Sequence, residues 1–151
     1  MNVENLFVKE SNQRAVANVV ERCLVGGSVQ PQWGLPSSYA PLLASDPKRK
    51  IAISPSTNDW IAIIESKEVV DFGMAKTLVD ELGGSAVIIQ VSDSTGAMGH
   101  LFYEGGQVIS CEFEEQAHDP INDARSILRQ HRIPFDVAMF REVVDLHRKV
   151  G

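Results

Sequence analysis

The chain of 151 residues carries a formal net charge of −6, with 44% apolar and 23% charged side chains. That is the size and composition of one globular domain, able to bury roughly 70% of its unfolded surface without a metal or a disulfide. Met1 to Asn5 lack the basic start and apolar core of a secretory signal, and the apolar run Trp60–Ile64 is far too short to span a bilayer.

The charge is uneven. Residues 1–118 hold 15 acidic against 8 basic side chains, and residues 119–151 hold 5 against 6. An acidic chain without a basic stripe repels a phosphate backbone at long range, so neither nucleic acid nor membrane is expected as a partner. Arg125, Arg129, Arg132, Arg141, Arg148 and Lys149 alternate with acids and read as a solvated helix face. Two cysteines, Cys23 and Cys111, suit a reducing compartment where thiols fill apolar space, so a soluble cytoplasmic protein is expected.

Leu6-Phe7-Val8 opens the chain as a short strand. Ser11 is the expected cap of a helix whose apolar face is Val16, Val19, Val20, Cys23 and Leu24, stopped at Gly26-Gly27. Residues 26–50 then break the periodicity with Pro31, Pro36, Pro41 and Pro47. Trp33, Leu35, Tyr39, Leu42 and Leu43 make this stretch too apolar for a disordered linker. An ordered loop over the domain surface is the expectation.

Ile51-Ala52-Ile53 and Trp60–Ile64 read as strands, the second without polar alternation and therefore covered on both faces. Asp71 caps a helix with stripe Ala75, Leu78, Val79 and Leu82, and Ala86–Val91 is the next buried strand. Strand, helix, strand in that order implies a crossover and a parallel pair. Met98–Tyr103 and Val108–Phe113 form a hairpin around Glu104-Gly105-Gly106. Alternation places Ile109, Cys111 and Phe113 on one face, with Cys111 buried. Asp119-Pro120 starts a helix bearing Ile121, Ala124 and Leu128, and a last helix from about Asp136 buries Met139, Phe140, Val143 and Val144. The sum is a single α+β domain: a two-layer sandwich with a mixed, mostly antiparallel sheet of about six strands and about four helices.

Catalytic patterns are absent from the spacing. Gly96-Ala97-Met98-Gly99 lacks the lysine of a phosphate loop, and His100-Leu101-Phe102-Tyr103 follows as strand, so a hairpin turn is expected. Asp93-Ser94-Thr95-Gly96 has one residue too many for an aspartic-protease loop, which in any case needs a second aspartate. His100, His118, His131 and His147 are scattered. Glu112, Glu114, Glu115, His118 and Asp119 read as a charged edge that discourages sheet-to-sheet pairing. His131 ends a helix, where the dipole accounts for it. No cofactor and no metal site are expected.

The outline from Trp60 to Ser110 resembles that of stand-alone bacterial domains of unknown function: a tryptophan-led strand, a helix ending in Leu82-Gly83, a strand ending in Ser92-Asp93, and a hairpin at Glu104-Gly105. It transfers no residue role. What remains is the aromatic loop, where Trp33 and Tyr39 supply contact area with a polar handle, while Trp60 reads as a core anchor. The expected function is a binding or protein-interaction module with another protein as its partner. A small-molecule pocket under residues 28–45 and an enzyme of unknown class are the alternatives.

Overall fold

The computed structural model describes residues 2–24, 50–66, 72–92, 94–143 and 145. The elements run β1 (Asn2–Lys9), α1 (Gln13–Cys23), β2 (Ile51–Ile53), β3 (Trp60–Glu65), α2 (Phe72–Leu82), β4 (Ser85–Ser92), β5 (Ala97–Glu104), β6 (Gln107–Glu114) and α3 (Pro120–Gln130). Helical residues resume at Phe140. The six strands form one antiparallel sheet in the order β2-β3-β1-β4-β5-β6, the expected α+β fold.

The parallel pair does not form. β3 and β4 point the same way, but β1 lies between them and pairs antiparallel with both, from Asn5↔Ile64 to Lys9↔Trp60 and from Asn2↔Ser92 to Val8↔Ala86. The N-terminal strand thereby gains two ladders and burial on both faces. The first four strands and two helices have the split β-α-β-β-α-β order, with both crossover helices on one face.

Strand alternation assigns the two faces. On the first, Leu6, Val8, Ile61, Ile63 and Ala86 meet Val16, Val19 and Val20 of α1 and Ala75, Leu78 and Val79 of α2. On the second, Phe7, Trp60, Ala62, Ile64, Val87 and Ile89 meet Ala124 and Leu128 of α3. The sheet is therefore covered from both sides, because the chain after β6 folds back over it. Asn5, fully buried, fixes that return. Its Nδ2 donates to Ala138 O at 2.7 Å and its Oδ1 accepts from Ala138 N at 3.0 Å, so one amide satisfies both backbone groups of a residue 133 positions away. Phe135 stacks on Phe7 at 6.2 Å, and Asp136 takes two hydrogen bonds from Arg125.

Several local readings change. Asn12, not Ser11, caps α1, accepting from Ala15 N at 3.1 Å, and Glu10 Oε1 accepts from the Ser11 and Asn12 amides just before it. The stretch from Ile133 to Met139 is not helical, since Asp136 turns to Arg125 and to Val137 N and Ala138 is held by Asn5; the helix begins at Phe140. Met139, Phe140 and Val143 are half-buried. The turns at Asn58-Asp59 and Gly105-Gly106 have positive φ at both central residues, as tight two-residue hairpins require. Residues 26–49, with the Gly26-Gly27 stop, and Asp71, Val144 and His147 lie outside the described residues.

Candidate functional site

Trp33 and Tyr39 lie outside the described residues, so the structure brings neither to any site. Trp60 is buried on the second face, as its strand position implies. The surface that stands out lies instead at the far end of the sheet.

β5 and β6 pair from Met98↔Glu114 to Phe102↔Ser110, and then the register slips so that Tyr103 meets Val108. Ile109 is the extra residue of a β-bulge. Beyond the bulge every side chain changes side relative to simple alternation. Val108 now shares the first face with Cys111 and Phe113, while Ser110, Glu112 and Glu114 share the second. Ile109 does not lie in register with Cys111 and Phe113, and Cys111 is exposed rather than buried. Cys23, in α1, is half-buried against the first-face core.

The helix layer does not extend over this end. Val108, Ile109 and Phe113 are 48%, 55% and 59% exposed; with Phe72 at 39% they are the exposed large apolar side chains among the described residues. Phe72 opens α2 and stands over β5, its ring edge-on to Tyr103 at 5.8 Å. Between Phe72 and Phe113 lies a groove of about 260 Å³ with Ile88, Leu101 and Cys111 in its floor. Gln90 Nε2 donates to Glu4 Oε1 at 2.7 Å at its polar end. Gly99 makes room for the Phe113 ring, since a Cβ there would come within 3.0 Å of it.

One wall is anchored by Tyr103, whose hydroxyl donates to Asp80 Oδ1 at 3.0 Å while Lys76 Nζ bonds Asp80 Oδ2 at 2.6 Å. The Lys76 and Tyr103 hydrogen bonds hold the Asp80 carboxyl below its usual range, and burial first, then Asp80, pushes the Tyr103 hydroxyl up. This trio ties α2 to β5. On the second face His131 ends α3 against Phe102 at 4.5 Å, and burial, then the charge of His100, lowers its pKa. Burial and His100 together outweigh the opposing charge of Glu104.

The edge strand β6 carries Glu112 and Glu114, both exposed, and no lysine or arginine. From Thr77 to Ala124 the sequence carries nine acidic residues and no lysine or arginine. That window, together with the hairpin apolar on one face, is the signal in the sequence that points here. Among the described residues no group of three or more His, Cys, Asp or Glu side chains could hold a metal. The arrangement offers apolar contact, an acceptor–donor pair and the outer backbone edge of β6. No helix of the described residues is long and apolar enough to cross a membrane. No family model matches the chain, and comparison with curated proteins and with solved structures finds no significant match.

Proposed function

We propose that this chain is a protein-interaction module whose binding surface is the apolar first face of β5 and β6, walled by Phe72. The observation that carries the reading is the pair of exposed rings, Phe72 and Phe113, that line one groove with Ile88, Leu101 and Cys111, with exposed Val108 on the same face of β6. Scattered apolar side chains on a surface are ordinary, but two exposed rings lining one apolar groove mark an interaction site. The groove of about 260 Å³ is open to solvent rather than enclosed, a shape that suits side chains of a partner protein.

A photo-crosslinking test addresses this directly. A benzophenone amino acid placed at position 113 should trap a second protein in cells, whereas the same group at position 126, exposed on α3, should not. Absence of any intermolecular adduct at 113, or equal adducts at both positions, would overturn the reading.

A further inference from the structure

We infer that β6 accepts, as a seventh strand, an extended segment of a partner protein in which apolar residues alternate with lysine or arginine. This rests on the interaction reading above and specifies the partner's chemistry.

The backbone supplies the first part of the argument. β6 ends the sheet order, and among the described residues no strand lies beyond it. An eight-residue edge strand leaves a row of N–H and C=O groups facing outward, and adding a strand exchanges water for main-chain hydrogen bonds. The bulge at Ile109 interrupts that row, so the straight ladder available to a partner is Ser110–Glu114.

The side chains supply the second part. Residues directly opposite on neighbouring strands share a face. Alternate residues of an added strand therefore lie beside Cys111 and Phe113 on the first face, or beside Ser110, Glu112 and Glu114 on the second. The first set reaches the apolar groove, and the second meets two exposed carboxylates.

Charge decides between a foreign strand and a second copy. Two copies joined along β6 would bring the exposed Glu112 and Glu114 of each copy together, with no lysine or arginine on either β6 to offset them. A basic strand meets the same field with attraction, both on approach and when docked.

The test uses fluorescence anisotropy with the full chain and labelled seven-residue peptides. A peptide alternating lysine and valine should bind at least about tenfold tighter than one alternating glutamate and valine, and its affinity should fall as salt rises. Two further lysine–valine peptides carry N-methyl groups on alternate residues, in odd or even register. One should bind as the parent peptide does and the other should fail, because only one set of amides faces β6. Phe113→Ser should weaken binding at every salt concentration, while Glu112→Gln combined with Glu114→Gln should reduce the salt dependence. Equal binding of both N-methylated peptides, or of the glutamate peptide, would overturn the inference. So would concentration-dependent dimerisation of the chain that Phe113→Ser abolishes. If position 113 crosslinks a protein but no strand peptide binds, the strand inference fails and the interaction surface stands.

Discussion

Phe7 and Phe113 are the same residue on strands of the same sheet, in opposite circumstances. Phe7 lies in the central strand, fully buried under Phe135 and the returning C-terminal segment. Phe113 lies in the edge strand, more than half exposed and supported from below by the space at Gly99. The first position is sealed by three devices acting together: the ladders of β1, the amide clamp of Asn5 and the Arg125–Asp136 pair. The second has an apolar floor and shares its groove with the exposed ring of Phe72, but stays 59% exposed. In this fold burial and strand pairing are concentrated at β1, and the apolar side chains of β6 are left exposed.

The largest expected effect falls on the sealed side. Phe7→Ala removes a fully buried aromatic and should cost about 3–5 kcal/mol, measured as a shift in a urea melt. A loss below about 1 kcal/mol would mean that the second-face core can collapse around the gap.

Asn5→Ala comes next. It leaves the N–H and C=O of half-buried Ala138 without their partner, a loss of about 1 kcal/mol and at most about 3 if water cannot reach them. Hydrogen exchange should show Ala138 losing protection more than the α1–α2 side does. Uniform loss across the molecule would argue against a local clamp.

A smaller, pH-dependent effect belongs to His131. Its folded pKa lies below the ordinary 6.5, by burial first and then by His100. The unfolded chain therefore binds the proton more readily. The contribution is complete above about pH 6.5 and is lost as pH falls below that toward the lowered folded value. His131→Gln should flatten the stability–pH curve below about pH 6.5, where the unfolded chain takes up the proton before the folded one. An unchanged slope in the variant would assign the titration elsewhere.

The cysteines sharpen the contrast without a change in stability. Cys111, exposed beside the groove, should alkylate at the rate of a free thiol in the folded protein, and Cys23, packed against the α1–α2 core, more slowly. Mass spectrometry of a timed iodoacetamide reaction reads both. The reverse order would place Cys111 under cover.

Much of the sealed side is legible in the sequence because its signals are local. The unbroken run Trp60–Ile64 announces a strand covered twice, the stripe Val16, Val19, Val20 announces one helix face, and Asp119-Pro120 marks a helix start that the structure keeps, with Asp119 accepting from Asn122 N. What the sequence hides is set by distant partners. The insertion of β1 between β3 and β4 depends on sheet order, and the fate of residues 133–139 depends on Asn5 at the other end of the chain. The face of β6 is hidden for the same reason. Alternation along β6 is correct until the bulge at Ile109, and a bulge is a property of two strands in register, so the apolar face of Val108, Cys111 and Phe113 emerges only once β5 is beside them.

The smallest expected effect is the most direct test of the division between the two ends. Phe113→Ala should leave the urea midpoint and slope nearly unchanged, within about 1 kcal/mol of the parent, because an exposed side chain removes little buried surface. A loss of about 3–5 kcal/mol, equal to that expected at Phe7, would show Phe113 to be part of the core and contradict its assignment to a binding surface.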